Sequence, residues 1–239
     1  MRALALLIWL WAGMAAAECR QALALALDVS GSVDSGEYRM QLDGLAGALD
    51  DPQVRAALLQ MPQAPVDVMV YEWSGPWTQR VLVPWTAIDG PGTLDAVITR
   101  LRGTDRVKMP PATALGKAMA FGVAALETRA GCWSRTLDIS GDGKSNMSTD
   151  PRRISGPLRE TGHIMINALV IGSGTAADES RRIVEIGELQ AYFTAYVIAG
   201  PGAFTEVAAG FADYEAAMVR KLLRELQAPV LSRADLPWP

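Results

Sequence analysis

Ala22-Leu23-Ala24-Leu25-Ala26-Leu27-Asp28-Val29-Ser30-Gly31-Ser32 sets an unbroken apolar run directly before one carboxylate and two hydroxyls. A segment of helical character then opens near Ser35. An apolar run of this length, closed at once by turn residues, reads as a buried strand ending near Asp28. Asp28, Ser30 and Ser32 occupy alternate positions beyond it, so the turn aims three hard oxygen donors at one point. Donors of this type suit Mg²⁺, and soft or imidazole ligands are absent from the stretch. The same residues are also ordinary turn formers, and any one of them could cap the following helix. Partners elsewhere in the chain decide between the two readings.

Apolar runs of strand length alternate with segments of helical period along the rest of the chain. The first strand, Gln21–Leu27, leads to a helix over Ser35–Asp50, capped by Asp34 or Ser35, with Glu37 in its first turn. Its buried stripe is Leu42, Leu45, Ala46 and Leu49, and a short helix over Pro52–Leu59 follows. Val66–Trp73 and Gln79–Trp85 are strands joined by Ser74-Gly75-Pro76-Trp77-Thr78, a turn short enough to make a hairpin with an antiparallel third strand. A helix over Thr93–Leu101 precedes a loop from Gly103 to Ala112, and Thr113 opens a helix to about Thr128. The fourth strand is Arg135–Ser140, followed by a helix over Pro151–Thr161 with Asp150 at its cap. Ile164–Ile171 reads as the fifth strand, Asp178–Leu189 as a helix, Tyr192–Ile198 as the sixth strand and Phe204–Leu226 as the last helix. The expected class is α/β: a doubly wound, Rossmann-like, mostly parallel six-stranded sheet with helices on both faces. Ligands of such sheets bind beyond the carboxyl ends of the strands, where Asp28 and Asp142 both lie.

At Asp28-x-Ser30-x-Ser32 the chain resembles the von Willebrand factor type A domain, which carries its metal-ion-dependent adhesion site on this pattern. The resemblance implies strand order 3-2-1-4-5-6 with strand 3 antiparallel at the edge. It also implies a Thr from a second loop and an Asp from a third. Thr113, in Pro110-Pro111-Ala112-Thr113-Ala114-Leu115-Gly116, matches the first requirement; Thr104 is a rival without a helix directly after it. Asp142, after the fourth strand, matches the second. By that resemblance Ser30 and Ser32 coordinate the ion directly, Asp28 and Asp142 directly or through water, and Thr113 once a ligand is bound. One coordination position is left for a carboxylate from a partner protein. The implied cofactor is Mg²⁺, with Mn²⁺ or Ca²⁺ as alternatives. Two carboxylates and neutral hydroxyls leave an octahedral Mg²⁺ under-neutralised, which favours a third carboxylate from outside. The family has Thr or Ser before its third-loop Asp, and here Gly141 takes that place. Asp138-Ile139-Ser140-Gly141-Asp142-Gly143 also sets an acid inside a central strand, where it needs a hydrogen-bonded role. The run resembles an exported bacterial branch of the family over Cys19 to Leu226, and that resemblance brings no activity with it.

Met1-Arg2, an apolar run from Ala3 and Ala15-Ala16-Ala17 read as a secretory signal peptide over residues 1–17. Glu18 before Cys19 replaces the small residue that lipoprotein processing requires. No other stretch approaches the roughly 18 apolar residues of a membrane helix. The expected organisation is an exported chain, periplasmic or secreted, with one domain over 18–228 and a Pro-rich tail over 229–239. A formal net charge of −4 over 239 residues, without a basic cluster, gives no footprint for nucleic acid. Cys19 and Cys132 precede Asp28 and Asp142 by nearly equal stretches. If the first and fourth strands are neighbours, as this fold has them, both cysteines fall at one end of adjacent strands and form a disulfide; two buried thiols are the alternative.

Gly143-Lys144-Ser145 lacks the earlier glycine of a phosphate-binding loop, and Gly172-Ser173-Gly174-Thr175-Ala176-Ala177 follows the wrong strand for a dinucleotide site. His163, the single histidine, precedes the fifth strand at the end remote from Asp28, which argues against a Ser/His/Asp triad. Trp73 and Trp77 flank the hairpin turn beside the proposed ion and are candidate partner contacts; packing of the hairpin is their other role. The expected function is a non-enzymatic, cation-dependent protein-binding module. A metal-dependent phosphoester hydrolase and a structural domain with a vacant site are the alternatives.

Overall fold

The computed structural model describes residues 19–172 and 178–226. The expected leader, the Pro-rich tail and Ser173 to Ala177 lie outside the described residues. β1 (Gln21–Asp28) is buried along its whole length and pairs in parallel with β2 (Val66–Trp73) and β4 (Ser134–Gly141). β3 (Gln79–Ile88) runs antiparallel beside β2, while β5 (Met165–Ile171) and β6 (Thr205–Ala208) extend the other side in parallel. The sheet order is β3-β2-β1-β4-β5-β6, as expected.

The alternation in β1 sorts its two faces. Leu23, Leu25 and Leu27 point into a core shared with α1 (Ser35–Asp50), α3 (Pro91–Arg102) and α7 (Tyr214–Leu226). Ala22, Ala24 and Ala26 point to the opposite core with Tyr71, Trp73 and α4 (Leu115–Glu127). Each buried leucine contributes on the order of 2 kcal/mol. The alanines let α4 lie close to the sheet, and that approach makes glycine necessary at Gly122. A Cβ there would stand 2.6 Å from both Leu137 Cδ1 and Tyr71 Oη. α2 (Pro52–Leu59) and α5 (Arg152–Thr161) complete the layers with α6 (Glu179–Tyr196).

The sixth strand falls elsewhere than its pattern suggested. Tyr192–Tyr196 belongs to α6, because Leu189 and Phe193, four residues apart, bury one helical face. The β-prone residues of Tyr192–Ile198 are overridden by that packing. The actual β6 is the short Thr205–Ala208, paired from Ala168↔Thr205 to Ile171↔Ala208, so the last helix starts at Tyr214 rather than Phe204. Four residues carry too little local pattern to announce a strand. α4 likewise begins at Leu115, leaving Thr113 in the preceding loop.

Cys19 and Cys132 form a disulfide with Cα atoms 4.6 Å apart, closing the amino-terminal ends of β1 and β4. Among the described residues no helix is long and apolar enough to cross a membrane.

Candidate metal centre

The carboxyl ends of β1 and β4 and the loop before α4 meet at one end of the sheet. Asp28 closes β1 and is fully buried. Its Oδ1 accepts the Ser30 N–H at 2.8 Å, an Asx-type turn that reverses the chain. Gln41, buried on α1, donates from Nε2 to the Asp28 carbonyl at 2.9 Å and so fixes the strand end from below. The helix cap is Asp34: its Oδ1 accepts the N–H groups of Gly36 and Glu37, and Glu37 returns a bond to the Asp34 N–H. With that reciprocal cap in place, Asp28, Ser30 and Ser32 are not needed to start α1.

Their side chains turn to each other and to the third loop instead. Ser30 Oγ lies 3.4 Å from Ser32 Oγ, and Ser32 Oγ donates to Asp142 Oδ1 at 2.8 Å. Asp28 Oδ2 is buried without a hydrogen-bond partner among the described residues. Loss of solvent and then the nearby Asp142 carboxylate push Asp28 up to about 8. Burial pushes Asp142 up as well, with the Ser32 hydroxyl opposing and Glu37 adding to the rise. The charges acting on this pair are therefore themselves acidic. Gly141 fits the crowding, since a Cβ there would stand 3.3 Å from Asp28 Oδ2.

Thr113 is buried in the second loop, which presses on both of the others. A Cβ at Gly31 would meet Pro111 Cβ at 2.6 Å, so only glycine lets the first two loops approach this closely. From the third loop, Asn146 Oδ1 accepts the Thr113 N–H at 3.0 Å, and the Asn146 N–H donates to the Thr113 carbonyl at 3.1 Å. Asn146 Nδ2 reaches Thr113 Oγ1 at 3.5 Å, and Ser145 Oγ donates to the same carbonyl at 3.3 Å. Asn146 thus clamps Thr113 from backbone and side chain together. Sequence reasoning missed both Asn146 and Gln41. A Gln at a core position of α1, one residue before Leu42, was the available signal for Gln41; nothing local marked Asn146.

An orphaned carboxylate oxygen, two buried acids each raised above the ordinary carboxylate range and only hard oxygen donors fit a divalent cation. Asp28, Ser30, Ser32 and Asp142 are joined by direct contacts, and Thr113 is held on the adjoining loop. The other expected residues separate. Trp73 is fully buried, so it packs the core rather than a partner surface. Trp77 is 86% exposed, with Lys117 Nζ 4.9 Å from its ring centroid. His163 sits away from the site, bonded to Thr161 Oγ1 at 2.6 Å and Glu127 Oε1 at 2.8 Å.

The family described as protein of unknown function DUF1194 matches residues 18–230, and the chain belongs to it. No curated protein matches the chain. Among solved structures, proximal thread matrix protein 1 from the mussel byssus aligns with a TM-score of 0.58 at 13% identity, over 88% of this chain and 48% of that one. The same protein "with zinc occupied MIDAS motif" aligns at 0.57 and 12%, over 86% and 48%. A von Willebrand factor type A protein from Catenulispora acidiphila aligns at 0.56 and 14%, over 87% and 43%. The chain spans about half the length of these proteins. The fold is that of the von Willebrand factor type A domain.

Proposed function

We propose that this DUF1194 family member is an exported, divalent-cation-dependent binding module that captures an acidic group of a partner protein. Mg²⁺ is the expected ion, with Mn²⁺ or Ca²⁺ able to replace it. Asp28, Ser30, Ser32, Asp142 and Thr113 would hold it; the bound ion supplies an electrophilic position for an outside carboxylate. The reading rests on Asp28: a fully buried acid with an unpartnered Oδ2, set against a second acid. A protein keeps such a pair together most readily when a cation neutralises it. The zinc-occupied motif named for the mussel neighbour supports a cation at this end of the fold. Trp77, exposed on the hairpin turn, is the aromatic offered to the partner beside the ion.

The module is taken to span residues 18–228 after removal of 1–17. Titration calorimetry with Mg²⁺ should give saturable binding to the wild type and none to Asp28→Ala. A pull-down from periplasmic extract should retain a partner that EDTA releases and that Trp77→Ala weakens. Absence of Mg²⁺, Mn²⁺ and Ca²⁺ binding would overturn the reading. Phosphoester turnover lost in Asp28→Ala would replace it with the hydrolase.

A further inference from the structure

Away from the metal centre, under α7, the structure buries three ionisable side chains in mutual contact. Asp138 stands in the middle of β4, between Leu25 of β1 and Asn167 of β5. Lys221 Nζ lies 2.6 Å from Asp138 Oδ2 and 2.6 Å from Glu225 Oε1, and none of the three side chains is more than 1% exposed. Asn167 Nδ2 donates to Glu225 Oε1 at 2.7 Å, while Asn167 Oδ1 accepts the Phe204 N–H at 3.1 Å. The Phe204 ring centroid is 5.5 Å from Nζ. Leucines 23, 25 and 169 share the same core. Glu225 Oε2 is buried without a hydrogen-bond partner among the described residues, and Asp138 Oδ1 is equally bare.

An ion triad in so dry a place is a costly anchor, because desolvation of three charges is only partly offset by their attraction. The geometry has a second property. An amine nitrogen touches one carboxylate while a second carboxylate touches the same nitrogen, and water is excluded. We propose that Lys221 and Asp138 condense into an intramolecular isopeptide bond, with Glu225 as the proton carrier and Asn167 as its positioning residue.

The step balances without an outside reagent. A proton passes from Nζ to Asp138, giving a neutral amine and a carboxylic acid. Nζ then attacks Asp138 Cγ; Glu225 takes a proton from the nitrogen and returns one to the departing hydroxyl. The C–N bond forms, the C–OH bond breaks and one water leaves. Burial pushes Asp138 up to about 7 against the opposing Lys221 charge, which brings its acid form within reach near neutrality. Desolvation lowers Lys221, but the two carboxylates more than offset it. The ion pair is therefore the resting form of the unreacted triad, and the neutral pair is its reactive minority. The product exchanges one buried ion pair for a neutral amide and ties α7 covalently to the central sheet.

Mass spectrometry of the purified full chain, reduced and denatured, decides the proposal. The expected wild-type mass is one water below that calculated for the chain whose N-terminal peptide is observed. Trypsin should release a branched peptide joining Thr136–Lys144 to Lys221–Arg224, with no cleavage after Lys221. Glu225→Gln and Lys221→Arg should show the full calculated mass. A wild-type chain at full mass, cleaved after Lys221, overturns the proposal even if no variant folds. So does a water loss confined to linear peptides, as a succinimide at Asp142-Gly143 would give. A crosslink that persists in Glu225→Gln overturns the proton-carrier role.

Discussion

Asn146→Ala is the substitution that most directly tests how the loops build the metal centre. Asn146 makes no proposed contact with the ion, yet its Oδ1 accepts the Thr113 N–H at 3.0 Å. Removing it leaves a backbone donor of a buried residue without that partner, a loss worth roughly 1–3 kcal/mol. The Asn146 N–H bond to the Thr113 carbonyl survives, so the loop is loosened rather than released. If the whole loss falls on the geometry that presents Thr113 to the ion, Mg²⁺ affinity should drop roughly 10–100-fold, as for other groups that orient a metal ligand. If it falls on the fold instead, the melting temperature should drop and the affinity should hold. Calorimetry and thermal unfolding on the same samples separate the two. Asn146→Asp keeps an acceptor for the Thr113 N–H and should retain the thermal stability that alanine loses. Unchanged affinity and unchanged stability in Asn146→Ala would refute the clamp.

The remaining predictions concern charge, packing and the crosslink at the far end. In chelator, Asp28 is an acid raised to about 8 on folding, so the folded state holds a proton that the unfolded chain releases. Metal-free stability should therefore be fullest below about pH 4 and fall as pH rises toward 8, by up to about 6 kcal/mol from this group. Asp28→Asn should make that slope shallower in thermal melts, leaving the shares of the other buried acids Asp142 and Asp138; an unchanged slope would show that Asp28 contributes none of it. Gly116→Ala puts a Cβ 2.1 Å from the Thr149 carbonyl oxygen, which forces α4 and the third loop apart. The expected cost is about 1–3 kcal/mol in denaturant unfolding together with weaker Mg²⁺ binding, and an unchanged unfolding midpoint would refute the contact. Cys132→Ser opens a bond spanning 113 positions and should lower stability by roughly 2–5 kcal/mol with Mg²⁺ binding retained. Loss of binding in folded Cys132→Ser protein would show that the two ends of the sheet are coupled.

Much of this molecule can be read locally. The Leu/Ala alternation of β1, the short hairpin turn and the Asp34–Glu37 spacing each act within a few residues, so their outcome is written into adjacent positions. The oxygen-rich ends of β1 and β4 belong to the same class: a carboxylate directly after a buried strand has little choice of place. Where the local signal is short or ambiguous the reading failed. The aromatic Tyr192–Ile198 run has strand-like composition, yet the burial of Phe193 in α6 decided its state, and the four residues of β6 took theirs from pairing with β5.

By itself, then, the chain determined a parallel α/β sheet with oxygen donors at one end and cysteines at the other. Only the tertiary structure decided what those groups touch. Ser32 meets Asp142 across 110 positions, Asn146 meets Thr113 across 33, and Lys221 meets Asp138 through a helix packed over the sheet. The reason is physical. Periodicity and capping depend on neighbours a few residues away, whereas these contacts depend on how closely separate elements approach. That closeness is set by small residues such as Gly31, Gly116 and Gly122, whose role appears only once something stands against them. Asp28 began as one of three residues able to cap a helix. With Asp34 holding the cap, it is a buried acid with an unpartnered oxygen and a second acid nearby.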